Sequence, residues 1–137
     1  MMYFKNNKIF INEELYYIVF RRKGRLIFSP CAELKKLQRY FLNAIKLEYS
    51  LNLDVVKTAK VHVGQKWILK MDIKDFYTSI PTHQIKKFVC KVCRNIKLAN
   101  INYYFELVTL NGKLPTGAPT SPHIANACFE PIEKEIL

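Results

Sequence analysis

Acidic residues are scarce in this chain: 11 Asp and Glu stand against 22 Lys and Arg, a formal net charge of +11. The excess favours a polyanionic partner, most simply nucleic acid, with a plain basic surface as the alternative, and it says nothing about chemistry. Long apolar runs are missing as well, which excludes a membrane span of about 20 residues. The opening stretch MMYFKNNKIFINEE has neither the unbroken apolar core nor the cleavage site of a secretion signal, so a cytoplasmic protein is expected. Of the four cysteines, Cys90 and Cys93 form one C-x-x-C, but there is no second one and no His at finger-like spacing. Ile85, Phe88, Val89, Val92 and Ile96 surround that pair at helical spacing, so core thiols are the better reading than zinc. Repeats, low-complexity tracts and linkers are absent. With 137 residues, half of them hydrophobic, one compact domain with a real core is expected.

What is present begins with two β-rich runs, Leu15 to Phe20 and Arg25 to Phe28, around the turn Arg21-Arg22-Lys23-Gly24. This predicts a hairpin with a basic tip, closed by Pro30. Residues 32 to 47 carry Leu34, Leu37, Phe41 and Ile45 at helical spacing and predict an amphipathic helix. A short helix within 51 to 61 follows. Lys66-Trp67-Ile68-Leu69-Lys70 reads as a buried strand running to residue 72. Pro81 opens a helix to about residue 96, with Ser79 as a candidate cap. Asn102 to Leu110 fits helix better than strand, Asn111-Gly112 marks a turn, and LPTGAPTSPHIAN is a rigid loop before a helix from Ile124 onward. The pattern is α+β.

Chemistry concentrates in MDIKDFYTSIPTHQ, residues 71 to 84. A carboxylate at a strand end is fixed in space and suits a hard divalent cation. Magnesium takes one or two carboxylates and completes its shell with water and phosphate oxygens. Asp72 and Asp75 fit that role, although D-x-x-D alone fits ordinary helix-entry acids better. Phe76 reads as core, while Tyr77 is open between core and a nucleotide contact. In the Pro-rich loop, Gly117, Ala118 and Ser121 allow a ligand close to the backbone or simply make a stiff connection. Arg21, Arg22, Lys23 and Arg25 make a tip that grips phosphates or is merely solvated.

Taken in order, these pieces resemble a reverse transcriptase of the bacterial retron type, with group II intron enzymes as relatives. MDIKDFYTSI resembles motif A (DIKDFF-x-SI), and LPTGAPTSPHIAN resembles motif B (LPQGxPxSPxxAN). RLIFSPCAELKKLQR resembles the fingers segment R-x-I-x-x-P-x-x-x-L-K-x-x-Q, and Thr58 to Gly64 resembles the retron NAxxH run and its glycine, with Thr58 for Asn. The likeness covers about residues 15 to 137.

The resemblance implies the fingers and part of the palm of a right-hand polymerase, with fingers at about 1–65 and a partial palm at about 66–137. It implies an RNA-directed DNA polymerase that extends a DNA or RNA primer on an RNA template with deoxynucleoside triphosphates, using two Mg²⁺ ions. Asp72 would be the catalytic metal ligand, with the Ile73 carbonyl beside it. Asp75 and Phe76 would lie under the triphosphate through backbone amides, and Tyr77 would be the steric gate against a 2′-hydroxyl. Arg22, Lys23 and Arg25 would hold the triphosphate, and Thr116 and Gly117 would flank the nucleotide. Arg21, Ser121 and Pro122 would contact nucleic acid. The pattern departs from the family in three ways. Thr116 stands where Gln is usual, the segment between Leu47 and Thr58 is short, and no Y-x-D-D of motif C follows motif B within these residues. Alone, therefore, the chain is expected to bind Mg²⁺ weakly or not at all, to synthesise little or no DNA, and to self-associate through an exposed palm edge. The alternatives are a non-catalytic RNA-binding remnant, or a subunit completed by another chain. Retron, intron and phage-defence contexts all fit.

Overall fold

The structure is a computed structural model and describes residues 1–46, 55–70 and 72–136. Four strands, β1 (Met2–Lys5), β2 (Lys8–Ile11), β3 (Glu14–Arg22) and β4 (Arg25–Pro30), form an antiparallel meander in chain order. Each connection has two residues, and both have positive φ: Asn6 and Asn7, Asn12 and Glu13, Lys23 and Gly24. Such turns match the twist of the flanking strands. The predicted hairpin is β3–β4, with Arg22 opposite Arg25 and Tyr17 opposite Pro30. The sequence reading missed β1 and β2, whose signal was the Asn-Asn pair between MYFK and KIFI. On β3, Tyr17 and Val19 face the core while Ile18 and Phe20 face out.

Helix α1 (Ala32–Lys46) packs across this sheet. Its buried stripe is Leu34, Gln38, Phe41, Leu42 and Ile45, and Leu37 is 45% exposed. This corrects the apolar stripe expected from the sequence. The 3.6-residue period carries position 38 to the centre of the face, and a polar side chain is accepted there because its amide nitrogen is used, although its buried Oε1 finds no partner among the described residues. Gln38 Nε2 donates to the Leu107 carbonyl at 2.9 Å, satisfying a group left open by the end of α5.

The remaining helices are α2 (Val55–Lys60), α3 (Phe76–Ser79), α4 (Thr82–Asn95), α5 (Ile101–Val108) and α6 (Ser121–Ile136). Ile85, Val89, Val92 and Cys93 of α4 join Leu107, Val108, Ile124 and Ala125 in a continuous core with α1 and β3. Cys93 is fully buried and Cys90 partly so, as expected of core thiols. The short helix expected within 51–61 appears as α2, while residues 51–54 lie outside the described residues. Ser79 does not cap α4. Pro81 takes that position, and Ser79 Oγ donates to the Phe76 carbonyl at 2.8 Å, closing α3 instead.

The expected buried strand at 66–72 is not formed among its described residues, 66–70 and 72. Residues 66–70 have no strand pairing; Trp67 is 85% and Leu69 78% exposed, and Met71 lies outside the described residues. A strand needs a neighbour to satisfy its amides and cover its side chains. Among the described residues none lies alongside, because the meander pairs only with itself and the Phe28 amide of edge strand β4 is taken by the loop at Thr116. No helix among the described residues is long and apolar enough to cross a membrane.

Candidate nucleotide-binding site

The motif A segment turns sharply at Asp75, whose φ of 50° is left-handed. The Asp75 carbonyl accepts from Ser79 N at 2.9 Å and Thr78 Oγ1 at 3.0 Å, so the turn starts α3. The Asp75 side chain makes no capping bond. Asp72, Ile73, Lys74 and Asp75 are all exposed. Phe76 is half-buried and meets Phe129 of α6 edge-to-face, with centroids 5.6 Å apart, and Tyr77 at 5.9 Å. This aromatic contact pins the motif A turn to the helix that follows the Pro-rich loop. Tyr77 is half-buried too, and burial raises the pKa of its hydroxyl, which stays protonated at neutral pH.

The Pro-rich loop is held from both sides. Ser121 is buried, and its Oγ donates to the Pro115 carbonyl at 2.7 Å, so its hydroxyl is committed to loop shape and not to solvent. From the other side, Phe28 N of β4 donates to the Thr116 carbonyl at 2.7 Å. The approach is close because the next residue is Gly117. Its φ is +118°, and a Cβ there would stand 2.8 Å from the Phe28 carbonyl oxygen and 2.9 Å from Ile27 Cγ2. Lys113 Nζ adds a 3.4 Å bond to the Ile80 carbonyl, tying the 110–113 turn to the chain after α3. Thr78, Phe28, Lys113 and Thr116 accordingly share one cleft of about 530 Å³, whose other wall includes Tyr3 and Phe4.

At the hairpin tip, Arg21, Arg22, Lys23 and Arg25 are all exposed, and Arg21 Nη1 reaches the Gly24 carbonyl at 3.5 Å. Arg22 and Arg25 are direct cross-strand partners. Like charges in that position repel, and an anion between them would relieve the repulsion.

The structure thus joins Thr116 and Gly117 to β4, and Phe76 to α6, with Tyr77 against Phe76. Asp72, Asp75 and the tip cations do not line the cleft. The sequence reading missed Phe28, Lys113 and Phe129. Phe28 acts through its backbone amide and leaves no side-chain signal. Among the described residues, no group of three or more His, Cys, Asp or Glu is placed to hold a metal. The motif A segment offers two exposed carboxylates, Asp72 and Asp75, and no closed metal site.

No family model matches the chain. Curated relatives do. The retron Se72 reverse transcriptase of Salmonella heidelberg is 34% identical over 120 residues, covering 79% of this chain and 31% of that protein. This chain is homologous to retron reverse transcriptases. The retron Ec86 enzyme of Escherichia coli is 24% identical, covering 84% of this chain and 38% of its own length. The Mx162 enzyme of Myxococcus xanthus is 28% identical, with 82% and 28% covered. The chain therefore spans about a third of the length of these retron reverse transcriptases.

Proposed function

We propose that these residues supply the fingers, at about 1–65, and the first part of the palm, at about 66–137, of an RNA-directed DNA polymerase. The observation that supports this best is the convergence on one loop. The basic hairpin is bonded to it through Phe28 and Thr116, and the motif A turn packs on the helix leaving it through Phe76 and Phe129. Asp72 would bind magnesium in the complete site, with the Ile73 carbonyl beside it. The metal, when bound, would activate the primer hydroxyl and stabilise the leaving pyrophosphate. This chain's own residues mainly position the nucleotide. Arg22, Lys23 and Arg25 draw in the triphosphate, and Asp75 and Phe76 present backbone to it. Tyr77 limits room at the sugar, and the Gly117 loop forms the opposite wall. Arg21 and Pro122 would meet nucleic acid directly, whereas Ser121 acts by shaping the loop. RNA template, primer and deoxynucleotides are the partners this role requires.

Asp72→Asn in a polypeptide continuing these residues through the rest of the palm tests the reading. Primer extension on RNA should fall about a hundredfold or more, with melting unchanged. Full extension by that variant would refute the assignment. Residues 1–137 alone, in which no Y-x-D-D follows motif B, should not extend a primer.

Residues 61–70 are exposed, and this observation favours a second reading. Trp67, Ile68 and Leu69 would be covered by another chain, either a subunit that completes the palm or a second copy. A non-catalytic RNA-holding remnant is distinguished by salt-sensitive RNA binding without any nucleotide binding.

A further inference from the structure

Cations outnumber acids two to one in this chain, yet one groove inverts that balance. It lies between α1 and α5, beside the start of β3 and the Asn111–Gly112 turn, with a volume of about 780 Å³. Its walls carry Glu14, Glu33 and Glu106 and not one Lys, Arg or His, although 22 of the chain's 137 residues are Lys or Arg. No ion pair to any of the three is seen among the described residues; the pair that is seen, Lys134 with Glu130, lies on α6. The Met1 ammonium is held by Asn12 Oδ1 at 2.6 Å, and Met1 does not line the groove.

The three carboxylates differ in how the fold accounts for them. Glu33 sits in the first turn of α1, where the helix dipole favours an acid. Glu106 lies near the opposite end of α5, where the dipole disfavours one, and Glu14 begins a strand. Between them the groove is apolar and open, with Leu37 45% and Tyr103 43% exposed. The Tyr16 hydroxyl, also in the lining, is pushed above its ordinary pKa first by burial and then by Glu14, with Glu106 the smallest of the contributions.

We propose that this groove docks a basic amphipathic helical segment of a partner polypeptide. Its aliphatic side chains would lie on Leu37 and Tyr103, and its Lys or Arg side chains would meet Glu14, Glu33 and Glu106. A nucleic acid would be repelled from the same walls. This groove adjoins the cleft of the polymerase reading and shares Met2, Leu110 and Asn111 with it, but none of its three glutamates lines that cleft, and the proposal does not depend on that reading.

The probe is a fluorescent peptide of about four helical turns, with leucines along one face and lysines along the other. Titrated with residues 1–137, it should bind saturably. A scrambled peptide of equal composition and charge should bind about tenfold more weakly or worse. E14Q/E33Q/E106Q should weaken the amphipathic peptide about tenfold, as three part-exposed ion pairs would together. E14K/E106K should lose that peptide and bind a version with glutamates in place of lysines. That gain of binding separates a docking role from a folding defect. Four outcomes would overturn the proposal: equal binding of the scrambled peptide, parental affinity in the triple Gln variant, displacement of the peptide by single-stranded RNA, or a dimer of the parent that the triple Gln variant abolishes. The last would assign the groove to a second copy of this chain.

Discussion

Gly117→Ala is the sharpest test of how the hairpin and the Pro-rich loop are joined. A Cβ at this position would stand 2.8 Å from the Phe28 carbonyl oxygen and 2.9 Å from Ile27 Cγ2, and the backbone φ of +118° is one that alanine rarely adopts. The oxygen belongs to β4 and cannot swing aside as a flexible side chain would. Backbone strain alone costs about 1–3 kcal/mol. Relief requires the loop to retreat, which loses the 2.7 Å bond from Phe28 N to Thr116 O, another ~1 kcal/mol. The sum is about 2–4 kcal/mol, or a fall in Tm on the order of 10 °C for a domain of this size. Gly24→Ala is the matched control. Its φ is +77°, but nothing lies within 4 Å of the added Cβ, so only strain of about 1 kcal/mol is expected. Thermal melts and urea titrations followed by circular dichroism read both variants. If Gly117→Ala were no less stable than Gly24→Ala, the close approach of β4 to the loop would be disproved.

Gln38→Ala should cost about 2–3 kcal/mol in urea unfolding, because it opens a cavity beside α1 and strands the buried Leu107 carbonyl. Parental stability would show that this carbonyl finds another partner. Tyr17→Phe should be close to neutral at pH 7, since the buried Tyr17 hydroxyl makes no hydrogen bond of good geometry; Gln38 lies near enough to lower its pKa against burial, but its amide nitrogen is bonded to Leu107. Burial pushes that hydroxyl up from 10.0 to about 12. The native state therefore holds its proton more tightly than the unfolded chain, and the associated stability is complete below pH 10 and lost as pH rises towards 12. Tyr17→Phe should flatten that alkaline loss, and an unchanged pH profile would locate the loss elsewhere.

Much of the resemblance to retron reverse transcriptases was readable in residue order, because short motifs are recognised by residue identity and spacing without tertiary context. The β3–β4 hairpin was equally legible, since Lys23-Gly24 specifies its turn locally. Helices α1 and α4 followed from spacing, while the α5 segment read as helix or strand with helix preferred, and spacing did not settle which residue of a stripe points inward. It favoured Leu37, and the molecule buries Gln38 because the end of α5 offers a carbonyl there. The apolar run at 66–70 read as a strand for good local reasons and failed for a non-local one.

The order of residues was enough to specify basic charge, helix periodicity, the two-residue turn of the Arg-rich hairpin and the motifs that point to nucleotide transfer. These depend on contacts a few positions apart. Three-dimensional packing settled that Gly117 sits against β4, that Phe76 meets Phe129, that Trp67 stays exposed, and that three glutamates share one groove. Each of those brings together segments distant in the chain, or reports that no described neighbour arrived, and periodicity within a segment carries no record of either.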